Sequence, residues 1–579
     1  MVRDDPHGRD DQNDAGARPR QRGSYSLLQI ADEAESAGIN IGHTKDYVLK
    51  EVEAADGAGF TVSDTGEVTD PAGEALEDAA SLQRRIQEGL QYAGDLDRQY
   101  GKALADLCTD LAAMREGQAD ITVPGGRRMD PDDVIAYLNS LSQEERRSFL
   151  SKMSEQDIRR LTQANPEFMG NTDGVPFNVR AEANETLIRD AQADEERAGR
   201  GNGDRANKLR EMLAEVSVPG RNGKPGNEAA PGADDRRSER RFIVFENTKN
   251  GRIIEMIGSL DKNSKSATVY VPGTTTNLDG SQSNYNAAWE LANRTKGPVF
   301  FYMDGDLPQE LGDKAATPLI PGASALGLGL LTANPALTVA GLGMIPGAVP
   351  DVVDGMKGTA ADPSFARDMA PRLVSFGKEL DAEVAANAPG AKTTYIGHSY
   401  GGSVVGSAEQ LGLRADNVIY ASSAGTGVFE GDWNNANPDV KRFSMMAPGD
   451  PIQYVQSLPG QTHGNDPDSA PGVTRIDTGY WDADRPDQGI VSGTDGHGKY
   501  WDRPESTAFQ NMVNVINGDE PTEYVERQHD RVTDAHWSFF QSASWAAGPH
   551  VGILVDGADG DIDTPGPLPD IPLKWPWNW

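Results

Sequence analysis

The stretch "TTYIGHSYGGSVVGSAEQLGL" (residues 393–413) decides how this chain is read. Thr393 to Ile396 form a short apolar run of strand character. Gly397-His398-Ser399-Tyr400-Gly401 follows, and then a segment of small residues with helical character. This pattern predicts a tight elbow that lifts the Ser399 hydroxyl above the carboxyl edge of a sheet. Gly397, Gly401 and Gly402 leave space for the strained turn such an elbow needs. The pentapeptide alone is weak support: with 64 glycines in 579 residues, a chance Gly-x-Ser-x-Gly is expected roughly 0.4 times. Its surroundings must therefore carry the case.

Those surroundings are rich in short apolar runs. "RFIVFE" (241–246), "RIIEMIG" (252–258), "ATVYVPG" (267–273) and "PVFFYMDG" (298–305) precede the elbow. "NVIYASSAG" (417–425), "VKRFSMMAPGD" (440–450) and "VTRIDTG" (473–479) follow it. Helical or small-residue segments separate most of the later runs. Strands alternating with helices predict an α/β domain over 241–520, its sheet mostly parallel with helices on both faces.

A serine hydroxyl is a poor nucleophile until a base takes its proton, and the base needs an orienting acid. In elbow-type folds the chain order is Ser, acid, His. Asp450 ends the strand after "NVIYASSAG" and is the expected acid. His497, between Gly496 and Gly498 in the loop "YWDADRPDQGIVSGTDGHGKYW" (480–501), is the expected base. It precedes the helical stretch "PESTAFQNMVNVI" (504–516). His463 falls before the last strand, and His529, His536 and His550 fall after the final helix. Asp432 and Asp466 sit in less suitable loops, and Asp477 sits in a strand. His398 is the variable position of the motif and receives no proton-transfer role. For the oxyanion, the Tyr400 amide directly follows the nucleophile. "ATVYVPGTTTNLDG" (267–280) offers a second donor, with Thr274 the first choice and Thr275 the second.

Composition bounds the rest. Length predicts two to four domains. A net charge of −35 argues against phosphate backbones as ligands, so nucleic acid is not an expected partner. One cysteine, Cys108, excludes an intrachain disulfide and a multi-thiolate zinc site. Residues 1–24 are charged and read as a disordered tail with no Sec-type signal, so the chain is expected to be cytoplasmic or exported by another route. Residues 25–120 read as a helical module with a small hairpin, and 121–216 as a second helical region. Residues 217–240 read as a Gly/Pro-rich linker. Within the catalytic domain, 315–350 carry no charge, and prolines 321, 335, 346 and 350 interrupt them. This segment is expected to form a buried or lid-like cover over the acyl pocket, with membrane contact as the alternative. The extension 521–579 holds five of the nine tryptophans and is expected to dock on the body or meet a partner.

These motifs together resemble a family of uncharacterised bacterial α/β-hydrolases. The resemblance rests on "VPGTTTN" (271–277), "GHSYGG" (397–402), "GDPIQ" (449–453) and "DGHGKYW" (495–501). It extends to "ANPEFMGNTDGVPFNVRAEANETL" (164–187), where Ala-Asn-Glu replaces the family's Ala-Asn-Arg. "AGFTVSDTGEVTDP" (58–71) is similar to a helical amino-terminal module akin to WXG-type secretion partners. The resemblance covers about residues 25–520. It implies an α/β-hydrolase fold and the Ser399, Asp450 and His497 set. It implies no substrate, and residues after 520 match nothing in it.

Two functions are expected. One is a serine hydrolase cleaving a small-molecule or lipid ester, with no metal or organic cofactor. The other is a secretion-system cargo or binding protein whose helical front meets a protein partner and whose hydrolase part is vestigial or toxic. "YVLKE" (47–51) matches a Y-x-x-x-E export pattern, which is common by chance.

Overall fold

Apolar residues at three- and four-residue spacing build the amino-terminal helices, and short continuous apolar runs build most of the sheet. The computed structural model describes residues 18–527, except 74, 116–119, 215, 218, 220–236, 311–357, 429–432, 451, 453–455, 457–462 and 494. It also describes two short strands at 554–555 and 562–563. The apolar segment 315–350 and most of the linker and Trp-rich end lie outside the described residues. The described residues form two units. One runs to Asp190 and takes in 215–217 and 230–239; the other holds 191–214 and the chain from Arg240 onward.

In the first unit, α1 (Arg18–Gly57) and α2 (Leu76–Arg115) pack together. Ala55, Phe60, Val68, Ala79, Leu82 and Ile86 form their shared core. The expected hairpin lies between them, with Thr61–Val62 paired antiparallel to Val68–Thr69. Shorter helices follow: α3 (Pro131–Asn139), α4 (Gln143–Leu150), α5 (Glu155–Ala164), α6 (Pro166–Asn171) and α7 (Phe177–Arg197), which runs past the unit's end. Ser142 caps α4 with a full capping box to Glu145, which explains the turn expected there. In the 164–187 segment, Arg180 and Asn184 both donate to the Gly170 carbonyl. That segment is therefore a buried polar staple.

The second unit opens with α8 (Asp204–Met212). Its sheet has strands β1 (Arg241–Glu246), β2 (Arg252–Ile257), β3 (Ser266–Val271), β4 (Val299–Met303), β5 (Lys392–His398), β6 (Asn417–Ala421), β7 (Lys441–Met445) and β8 (Val473–Arg475). The order across the sheet is β8-β7-β6-β5-β3-β4-β2-β1. Only β2 is antiparallel to its neighbours. β3 and β4 are buried along their whole length, as central parallel strands covered on both faces must be. The helices are α9 (Gln282–Arg294), α10 (Ser364–Asn387), α11 (Tyr400–Gln410) and α12 (Thr507–Asn517).

Strand order reverses direction at β3. The chain steps one way from β3 to β4 through α9, then back past β3 to β5 through α10. Right-handed crossovers then set α9 on one face, with α10 and α11 together on the other. α10 packs on α11, and α11 lies against β5 and β3. At such a reversal the flanking loops diverge, which opens a crevice at the carboxyl ends of the strands. No described helix is long and apolar enough to cross a membrane.

The sheet unit reaches further upstream than residue 241. Arg205 of α8 bonds Asp279, Asn247 and the carbonyls of Thr248 and Lys249. Lys208 bonds Gln282, and Leu209 and Met212 are buried. Removing two such side chains from the interior costs about 3–6 kcal/mol. A fragment starting at Gly199 is therefore expected to melt at least several degrees above one starting at Arg241, as measured by circular dichroism. Equal melting temperatures would show that α8 contributes nothing to the sheet unit.

Candidate active site

Ser399 stands between the last residue of β5 and the first of α11, with φ 54° and ψ −120°. L-residues rarely hold that conformation, and it costs on the order of 1–3 kcal/mol. Hydrogen bonds hold it in place. Its amide donates to the Ala421 carbonyl at the end of β6 (3.1 Å), and its carbonyl accepts from Ala424 (2.9 Å). Crowding explains the glycines around it. A side-chain carbon at Gly397 would sit 2.4 Å from Gly402 Cα.

Asp450 lies in the turn after β7 and is fully buried. One carboxylate oxygen, Oδ1, accepts from the Ile452 amide at 2.9 Å. His497 closes a short 3₁₀ turn, Asp495–His497, and a second follows at Lys499–Asp502. The two loops are tied together. The Gly493 amide donates to the Pro448 carbonyl, and a side chain at Gly496 would meet Ala447 Cβ at 2.6 Å. The three expected residues form one hydrogen-bonded line. His497 Nδ1 donates to Asp450 Oδ1 at 2.9 Å, and His497 Nε2 lies 3.1 Å from Ser399 Oγ. Burial alone would lower the His497 pKa. The charge and hydrogen bond of Asp450 outweigh burial and raise it above the ordinary value.

The loop after β3 reaches the nucleophile from the neighbouring strand. A side-chain carbon at Gly273 would lie 2.7 Å from Ser399 Cβ and 3.1 Å from its Oγ. Thr275 has φ 66° and donates its amide to the Pro308 carbonyl at 2.7 Å, so the second choice of oxyanion donor is already engaged. The Thr274 amide has no acceptor among the described residues, and the Tyr400 amide opens a helix where no intrahelical acceptor exists. Tyr400 turns its side chain away to bond the Asp362 carbonyl.

The competing residues are occupied elsewhere. His463 is buried edge-on against the Tyr400 ring at 5.2 Å and makes no bond to Ser399. Asp466 caps its own loop through Asp468 and Ser469. Asp477 lies just past β8 and pairs with Arg527. Asp432, His529, His536 and His550 lie outside the described residues. The pentapeptide had no signal for Ser422, a further non-glycine residue with positive φ (46°) one strand away, whose hydroxyl lies 3.4 Å from the Tyr500 hydroxyl.

Residues 332–459 match a family model described as an alpha/beta hydrolase. The sheet unit has an α/β fold, and this part of it is similar to that family. The match encloses Ser399 and Asp450 and ends before His497. No curated protein and no solved structure matches the chain. The sheet unit thus brings the Ser399 elbow, the Asp450 turn, the His497 loop and the loop after β3 to one edge of its sheet.

Replacing Gly273 with alanine drives a methyl group into Ser399. Gly273→Ala is expected to slow fluorophosphonate labelling of Ser399 roughly a hundredfold, the cost of displacing a reacting group by about 1 Å. Intact-protein mass spectrometry follows the rate, and an unchanged rate would show that the loop is not seated on the nucleophile.

Proposed function

We propose that the hydrolase domain is a serine hydrolase that cleaves an ester through an acyl-enzyme, with lipid-type esters as candidate substrates. The observation that carries this reading is the unbroken line of hydrogen bonds from buried Asp450 through His497 to Ser399. The strained elbow supports it, since a lone turn serine has no need of a left-handed backbone walled by glycines.

In this reading His497 Nε2 takes the Ser399 proton as Oγ attacks the ester carbonyl. Negative charge develops on the former carbonyl oxygen, and the amides of Tyr400 and Thr274 receive it. The intermediate collapses as His497 returns the proton to the departing alcohol. Water then attacks the acyl-enzyme with His497 again as base, releasing the acid and restoring Ser399. Asp450 fixes the tautomer with Nδ1 protonated and stabilises the imidazolium formed in each half-reaction.

Three outcomes are expected. Ser399→Ala loses about 10⁶-fold in ester turnover with little change in melting temperature, measured with p-nitrophenyl esters of graded acyl length. A variant that keeps a substantial fraction of the activity would sink the reading, and the chain-length series reports the substrate class.

The pH dependence follows from His497. Only the neutral imidazole accepts the serine proton, so activity falls as pH drops through its pKa. Because that pKa is raised, the acidic limb of kcat/KM is expected to have its midpoint above 6.5. Asp450→Asn removes the cause of the rise. It should move that midpoint down and cut kcat about 10⁴-fold. A midpoint unmoved by this variant would detach Asp450 from His497.

A further inference from the structure

We propose that His398, the residue before the nucleophile, is a positioning residue: its Nε2–H holds the main-chain carbonyl of His497 and so fixes the general base over Ser399. The proposal rests on the triad reading above and assigns a role to a side chain that takes no part in proton transfer.

The geometry is specific. His398 Nε2 lies 2.9 Å from the His497 carbonyl oxygen. A carbonyl oxygen can only accept, so Nε2 must carry the proton and the tautomer is fixed. Burial and then the charge of His497 depress the His398 pKa to about 4. The ring therefore stays a neutral donor through the working range, and it adds no positive charge beside the imidazolium that forms on His497.

The base needs this support because of where it is carried. Ser399 follows a strand paired on both sides, by β3 and by β6. His497 instead sits on a 3₁₀ turn that is not itself part of the sheet. Its two ring bonds orient the imidazole but leave the backbone free to shift. His398 ends β5, in register with Ala421 of β6, and so belongs to the rigid part of the sheet. Its bond runs from the strand that presents the nucleophile to the residue that bears the base. The two imidazole rings lie 5.1 Å apart. The rings of Tyr500 and Trp501 pack at steep angles to that of His398, at 6.5 and 5.5 Å. Tyr270 of β3 backs Trp501 at 4.8 Å.

The test separates donation from packing. His398→Leu removes the donor at similar volume, whereas His398→Gln puts a side-chain N–H near the position of Nε2. The second-order rate of fluorophosphonate labelling at Ser399 is measured for both, together with kcat and KM for p-nitrophenyl acetate and melting temperature. His398→Leu is expected to lower the labelling rate and kcat roughly ten- to hundredfold, as a small displacement of a reacting group does. KM should change less than twofold, and His398→Gln should recover most of the loss at an equal melting temperature. If the leucine variant does not fold, His398→Met repeats the donor-free arm with a more adaptable side chain. A donor-free variant that reacts as fast as the parent, or a glutamine variant that falls as far as the leucine one, overturns the proposal alone. A parent protein whose Ser399 resists the probe overturns the triad reading and this proposal with it.

Discussion

The left-handed backbone of Ser399 is the constraint around which the catalytic edge is built. A β-strand that runs straight into a helix must reverse the direction of its chain within one residue, and that residue takes φ 54° and ψ −120°. The strain persists because the neighbouring strand holds both ends of the residue. Ala421 accepts its amide, and Ala424 donates to its carbonyl. Crowding is the price. Gly397, Gly401, Gly402 and Gly273 all meet neighbouring atoms closer than any side-chain carbon allows. The glycine content of this region is thus a packing requirement imposed by the strained elbow.

Sheet order turns that local strain into a site. Because the chain reverses direction at β3, the connections after β3 and β5 lead to helices on opposite faces, while their first residues meet at the carboxyl edge. One carries Ser399, and the other carries Gly273 against it and the Thr274 amide beside that contact. The acid and the base arrive from strands farther out, through loops that are themselves joined by the Gly493–Pro448 bond and the Gly496–Ala447 contact. His398 bonds the carbonyl of His497, which is therefore held through its backbone as well as through its ring.

Much of the fold was legible because its signals are local. Most of the eight strands are apolar runs bounded by turn residues, and "GHSYGG" marks the elbow by the sizes of its residues. Asp450 and His497 could be picked from several candidates by their order along the chain and their position after particular strands. Thr274 and Tyr400 were legible only as neighbours of the right turns. The reach of the sheet unit back to α8 was not legible. Arg205 looks like any charged surface residue until it is seen bonding Asp279 and two carbonyls.

The sequence by itself determined the kind of element at each position, the serine at a strand-to-helix turn, and the order Ser399, Asp450, His497. These depend on period, residue size and chain order, which each segment carries internally. Only the tertiary structure decided that β5 lies between β3 and β6, that the Thr275 amide is taken by Pro308 while that of Thr274 is not, and that His398 faces the His497 carbonyl across 99 positions of chain. The reason is physical. Such contacts join residues that no local pattern links, and they follow from the handedness of the crossovers and from how close two backbones can approach, which only the packed sheet fixes.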